Sequence, residues 1–352
     1  MRHFLLCFLF VCLTISAQSR NNTRFADSIR VAYNVPELAY AVISTDSIIE
    51  MHVSGVTKIN TAHAAGITDR FRIGSNTKTI TAFIAAELVK QGKIKWTTKF
   101  FDLYPELKNV SKKEYYNTTL LELLSFRSSL MSWTYTNDAP TLINLADNEE
   151  QQRYQFIQWS LQKPPIKRDK GFGFSNPGYV AAGLMLERAS GKSCKQLITE
   201  LGKKLDIDFG FGAPNMLDTL QPWGHNANLE PEAPVDNYKL NWLLPAGNVN
   251  VTLPDYAKFI QLQLKGLRGQ STLLSKKEFE YLHFGLPEFA VGWFWREENG
   301  HKLSFHTGNP GTFLSQVFID RDNNRAYILF ANAQTDKTSE VFEILLSRLT
   351  GS

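Results

Sequence analysis

Ser75-Asn76-Thr77-Lys78 sets a hydroxyl and an amine three residues apart at the start of an apolar run. Residues at that spacing share one face of a helix, so the Lys78 nitrogen can reach the Ser75 hydroxyl. A serine hydroxyl becomes a competent nucleophile once a neighbouring base takes its proton. The orphan N–H groups and positive dipole end of a helix N-terminus favour negative charge developing there. Nucleophile, base and field for acyl transfer are thus present in four residues. The plain alternative is that Ser75 caps a helix and Lys78 is a solvated lysine of its first turn. S-x-x-K alone does not choose between the two. Two further stretches put polar groups at element ends: Phe174-Ser175-Asn176 before Pro177, and His306-Thr307-Gly308 before Asn309-Pro310-Gly311.

These groups need elements to hold them. Ile80, Phe83, Ile84, Leu88 and Val89 recur at three- and four-residue spacing, which predicts a helix from Ser75 to Gln91 with one buried face, stopped by Gly92. Asn176 as cap and Pro177 at the first helical position predict a helix running to Ser190-Gly191. Shorter helices are expected over Asn22–Tyr33, Thr119–Leu124, Gln151–Leu161 and Asp255–Leu264, with a closing helix over Thr338–Leu349. Leu38–Val56 alternates as two strands around a Thr45-Asp46 turn. The C-terminal part alternates over Phe289–Trp295, Lys302–His306, Phe313–Ile319 and Ala326–Phe330, with Asp322-Asn323-Asn324 as the last hairpin turn. Residues 221–248 read as loop. Strands at both ends with helices between them predict one sheet built from the two termini and a helical insert, with a site in the cleft between.

Composition bounds the rest. Phe4 to Ile15 is apolar, Arg2 and His3 precede it and Ser16-Ala17-Gln18 offers small residues for cleavage, the pattern of a secretory signal over 1–17. The expectation is a secreted or periplasmic protein. Cys7 and Cys12 fall within that segment, which leaves Cys194 with no intramolecular disulfide partner. A net charge of +4, with no basic block interleaved with aromatics, argues against a nucleic-acid partner. No further apolar stretch is long enough to span a membrane. The expected boundaries are an α/β region formed by 18–92 and 245–352 and a mainly helical region over 93–244.

S-x-x-K, then x-S-N before a helix, then H-T-G on a late strand, in that order, resembles the serine β-lactamase and penicillin-binding family, in its class C β-lactamase, D,D-peptidase and esterase branch. Ser175 to Tyr179 with Glu187 and Ser190-Gly191, the Thr119–Leu124 stretch, and Pro245-Ala246-Gly247 with Asp255–Phe259 extend the resemblance over nearly the whole chain after residue 17. It implies an α/β plus all-α, β-lactamase/transpeptidase-like fold, with an antiparallel sheet flanked by helices. It also implies Ser75 as the acylated nucleophile and Lys78 as its proton partner. Asn176 would orient a substrate amide, and His306, Thr307 and Gly308 would line the strand edge where substrate docks, facing Phe174. The backbone N–H groups of Ser75 and Asn309 would form the oxyanion hole. No cofactor or metal is implied, the substrate would be a small molecule, peptide or ester, and a monomer is expected. Two positions depart from the pattern. Phe174 stands where the family has a tyrosine that shuttles protons, and Phe126-Arg127-Ser128-Ser129 stands where it usually has H-T-S-G. Two readings stay open: a retuned hydrolase or acyltransferase in which Lys78 is the sole base, helped by Phe174 and by a charge on His306, or a weak or inactive relative that binds an envelope ligand. Tyr179 is a poorer substitute for the missing phenol, lying a turn into its helix.

Overall fold

The computed structural model describes residues 21–137, 148–168, 171–235, 238–298 and 300–351, apart from the Tyr238 side chain. The expected signal segment over 1–17 lies outside the described residues.

The strands are β1 (Glu37–Ile43), β2 (Ile48–Gly55), β3 (Arg70–Arg72), β4 (Gly210–Phe211), β5 (Val249–Thr252), β6 (Phe294–Glu298), β7 (His301–Gly308), β8 (Leu314–Asp320) and β9 (Arg325–Ala331). The helices are α1 (residues 21–32), α2 (Thr77–Lys90), α3 (Phe100–Leu103), α4 (Leu120–Leu124), α5 (Glu149–Ser160), α6 (Asn176–Ser190), α7 (Cys194–Leu205), α8 (Tyr238–Trp242), α9 (Leu253–Leu267), α10 (Lys276–Phe284) and α11 (Asp336–Thr350).

One antiparallel sheet runs β2-β1-β9-β8-β7-β6, so its first and last strands in sequence, β1 and β9, lie side by side. The two-residue period of β1 explains why both faces are covered. Ala39, Ala41 and Ile43 enter the main core, whereas Leu38 and Tyr40 enter a second core with Ala26 and Ile29 of α1 and Val341, Phe342 and Leu345 of α11. The Asn332 side chain ties the ends together by accepting from the Glu37 amide at 2.9 Å and donating to the Thr57 carbonyl at 3.1 Å.

Four expectations are revised. The helix after Ser75 is not amphipathic: Thr77 to Ala86 and Leu88 are all buried, because α2 runs through the middle of the molecule with α6, α7 and α10 packed against it. Phe289–Trp293 is not strand. Gly292 sits at φ 87°, close enough to α2 that a Cβ there would stand 2.7 Å from the Ala82 methyl. This bend delays β6 until Phe294. A small sheet, β3-β5-β4, was not foreseen from three such short strands. Finally, α8 interrupts the expected loop over 221–248. No helix among the described residues is long and apolar enough to cross a membrane.

Candidate active site

β3 delivers the chain to Ile73, and a 3₁₀ turn over Gly74–Asn76 then leads into α2. Ser75 therefore lies in this turn rather than capping the α-helix. The cap position belongs to Asn76, whose side chain makes no capping bond. Asn76 instead donates to the Ser315 hydroxyl of β8 at 2.8 Å, and Ser315 donates to the Ile73 carbonyl at 2.9 Å. These buried bonds fix the turn against the sheet, so the direction of Ser75 is set by β8 as much as by its own helix.

Lys78 is wholly buried, unlike the solvated lysine of the plain alternative. Its ammonium nitrogen lies 2.8 Å from Ser75 Oγ and 2.7 Å from the Ala246 carbonyl, to which it donates. Burial disfavours the ammonium and pulls its pKa from 10.5 down to about 7. Relative to water, the pocket thus disfavours the ammonium by about 5 kcal/mol, several times the size of an ordinary surface ion pair. The Phe174 and Tyr179 ring centroids lie 5.3 and 5.4 Å from the nitrogen. Phe174 is 37% exposed and so forms a wall between the lysine and solvent.

The helix start at α6 differs from its expected form. Ser175 is the cap: its Oγ accepts from the Gly178 amide at 3.0 Å and donates to the Met131 carbonyl at 2.9 Å. Asn176 is the first helical residue, and its amide nitrogen donates to the Trp133 carbonyl at 2.9 Å. Both side chains thus anchor the 126–133 loop, while Asn176 also lines a recess with Ser75.

The two departures from the sequence pattern meet in space. Phe126 lies 5.2 Å from Phe174, stacks on Phe289 at 4.2 Å and meets Tyr179 edge-on at 5.5 Å. A His and a Tyr at these two places would be polar neighbours; here both are apolar. Tyr179 offers no replacement phenol. It is buried, its hydroxyl donates to the Leu124 carbonyl at 2.6 Å, and burial pushes its pKa well above 10. Ser129 takes φ 60°, keeping a left-handed turn where the pattern has glycine.

On β7, His306 is buried between Phe289 and Phe294, and its Nδ1–H donates to the Thr307 carbonyl at 3.0 Å. Burial first, then the neighbouring Lys78 charge, lower its pKa to about 3. The expectation that a charged His306 helps discharge Lys78 is therefore corrected: at neutral pH the imidazole carries no charge, and burial alone lowers the lysine. Thr307 is exposed, and Gly308 is buried so tightly against Ile73 that a Cβ would stand 1.9 Å from its carbonyl oxygen. Pairing with β6 ends at Phe305, which leaves His306–Gly308 without a ladder partner on that side.

The recess of ≈ 30 Å³ beside Ser75 brings Asn176, Gly247, Asn309 and Pro310 close to its side chain. Gly74 and Asn309 approach so closely that a Cβ on Gly74 would lie 2.7 Å from the Asn309 nitrogen. Tyr135 also lines the recess and was missed in the sequence, where its only signal is an aromatic residue in the polar stretch Thr134-Tyr135-Thr136. Its position comes from long-range packing: its hydroxyl stands over Gly311, leaving no room for a Cβ there. Among the described residues no three His, Cys, Asp or Glu side chains converge as a metal site.

Residues 22–351 match the family model described as Beta-lactamase. The protein named flp from Staphylococcus aureus strain MW2 is 21% identical over 96% of this chain, and that from strain N315 is 20% identical over 90%. The chain spans 67% and 63% of the lengths of those two relatives, respectively. Among solved structures, an octameric penicillin-binding protein homologue from Pyrococcus abyssi superposes with a TM-score of 0.75 and 17% identity, covering 94% of this chain and 77% of the other. A structure of SurE with D-Leu gives 0.75 and 18%, covering 96% and 76%. With the family model matched from the first described helix to the last, and the sheet, helices and S-x-x-K turn arranged as above, the chain belongs to the beta-lactamase family of serine hydrolases.

Proposed function

We propose that the chain is a serine acyl-enzyme hydrolase or acyltransferase acting on a small amide, peptide or ester, with Ser75 as nucleophile and Lys78 as base. The observation that carries this reading is the buried Lys78 nitrogen 2.8 Å from Ser75 Oγ, with its pKa lowered to about 7. A neutral amine accepts the hydroxyl proton as Ser75 attacks the substrate carbonyl. The developing oxyanion turns toward the backbone N–H groups of Ser75 and Asn309, which border the same recess. Collapse of the tetrahedral adduct expels the amine or alcohol, which takes the proton back from the Lys78 ammonium. Water or a second acceptor then attacks the seryl ester. With Phe174 in place of a phenol, this second half is the slower one, so penicillins should acylate the chain and leave slowly. A small acyl group suits the narrow recess. Peptides ending in a D-amino acid are the first substrates to try, since the structural neighbour SurE was solved with D-Leu. The leader-like N-terminal sequence supports export as part of this reading.

Intact-mass analysis after treatment with a fluorophosphonate should show one adduct, on Ser75, and Lys78→Ala should slow its formation by about 10³-fold or more with the thermal unfolding transition retained. No adduct with any acylating probe would remove the catalytic claim.

Phe174 favours a second reading, in which the chain binds an envelope ligand with little or no turnover. Phe174→Tyr separates the two. If the parent is inactive and the variant turns over an ester that the parent does not, the binding reading gains. If the parent is active and the variant is slower, the site has been retuned around an apolar wall.

A further inference from the structure

The Ser75 and Asn309 amides come from chain segments far apart in sequence, so contacts between those segments must set their spacing. One contact lies directly beside them. Gly308 is pressed against the Ile73 carbonyl, and a Cβ on Gly74 would stand 2.7 Å from the Asn309 nitrogen. Backbone packed this closely fixes the near side of the recess. Side chains fix the far side. Arg72 precedes Ser75 by three residues, and Thr312 follows Asn309 by three. One oxygen of the Glu232 carboxylate accepts from Arg72 at 3.3 Å and from the Thr312 hydroxyl at 2.7 Å. A single side chain thus bridges the strand that leads into Ser75 and the turn that follows Asn309.

Glu232 can hold that place because its own backbone is anchored. Its N–H donates to the Gly224 carbonyl at 2.7 Å, and its carbonyl accepts from the Asn215 side chain at 3.2 Å. Gly224 lies so close to the turn that a Cβ there would stand 2.2 Å from Thr312 Oγ1. The next residue, His225, donates its amide to the Thr312 carbonyl at 2.8 Å. Residues 224–232 therefore hold both oxygens of Thr312. Within 309–312 itself, the one hydrogen bond among the described residues runs from the Gly311 amide to Asn309 Oδ1 at 2.8 Å. A turn with so little internal bonding takes its shape from its anchors. On the other side, Arg72 is 1% exposed, and a second nitrogen donates to Asn248 Oδ1 at 3.3 Å, next to Gly247 of the recess. A guanidinium this deeply buried requires a counter-charge, which fixes where the carboxylate sits.

We propose that Glu232 is a positioning residue: by spanning Arg72 and Thr312 it sets the spacing of the Ser75 and Asn309 amides that receive the developing oxyanion. This role rests on the reading of Ser75 as the acylated residue. Among the described residues no bond joins Glu232 to Ser75 or Lys78, so it acts on the rate and leaves the proton acceptor alone.

The experiment is stopped-flow acylation of the full chain by p-nitrophenyl acetate across pH 5–9. The variants are Thr312→Val, Thr312→Ser, Glu232→Asp and the double variant Glu232→Asp/Thr312→Val. Valine keeps the shape of threonine and removes the donor. Aspartate keeps the charge opposite Arg72 but is one methylene too short to span both partners. Losing a whole oxyanion donor costs about 10²–10³-fold, so loosening one should lower the plateau acylation rate by about tenfold in Thr312→Val and in Glu232→Asp. The ester concentration at half-saturation should stay within about twofold, and the pH limb near 7 should keep its midpoint. The double variant should be no slower than either single one, because both changes remove the same contact. Thr312→Ser restores the hydroxyl and should recover the rate. A merely structural role would lower the melting temperature and leave the plateau at the parent's value. That result would overturn the proposal, as would a displaced limb or a double variant slowed by the product of the single effects. A parent that is not acylated at all removes the Ser75 reading and this role with it. A parent that is acylated, with variants that match it, removes the positioning role alone.

Discussion

Acid–base behaviour around Ser75 follows from two buried side chains with different destinies. Lys78 loses its proton at about 7, and His306 stays neutral down to about 3. If the neutral amine is the base, the acylation rate of Ser75 should rise with pH through a single limb centred near 7 and level off above it. No limb from His306 should appear between pH 5 and 9. Stopped-flow acylation with a chromogenic ester measures this directly, and a rate that is flat across pH 5–9 would place the proton acceptor elsewhere. The apolar character of Phe174 contributes to the desolvation that makes this possible, because it shields the amine without offering it a hydrogen bond.

At the level of elements, the sequence made helices and strands visible where local chemistry specified them. Thr119 with Glu122 closes a capping box on α4, Thr252 caps α9, and Gly191 ends α6 in the left-handed conformation. Ser75, Lys78, Asn176 and His306 were legible because S-x-x-K, S-N and H-T-G are short local patterns. What stayed hidden was set by distant partners. The burial of α2 on nearly every side depends on helices far away in sequence, the bend at Gly292 on contact with Ala82, and the position of Tyr135 on Gly311. The turn at Ser129 gives a test at this scale. A serine at φ 60° bears about 1–2 kcal/mol of left-handed strain. Part of the gain from glycine is offset by greater freedom of the unfolded chain. Ser129→Gly should therefore stabilise the fold by about 0.5–1 kcal/mol, read as a higher urea midpoint at constant slope. A lower midpoint would show that the serine side chain contributes more than its backbone costs.

The whole molecule carries a second ionisable group whose burial sets its pH response. Glu37 lies at the start of β1, fully buried; burial first, and then the nearby Asp69 charge, raise its carboxyl well above the ordinary value. The folded state thus holds a proton that the unfolded chain releases in the ordinary carboxylate range. Stability contributed by this group is present below that range and is lost as pH rises toward the folded pKa. Glu37→Gln keeps the neutral shape without the titration. It should raise the melting temperature at pH 7–8 relative to the parent and leave the difference near zero at pH 4. An equal shift at both pH values would mean that the change acts through packing rather than through the proton.

The pairing of β1 with β9 also has a consequence in time. The Glu37–Asn332 bond spans 295 residues. At synthesis rates of ~5–20 residues per second, about 15–60 s separate the appearance of its two ends. Through most of that interval β1 and β2 have only each other to pair with, and the strand bearing His306 is made near its end. A nascent chain of this kind cannot expose a finished nucleophile early. Any chaperone that meets the chain before release meets a helical midsection whose flanking sheet has not yet closed.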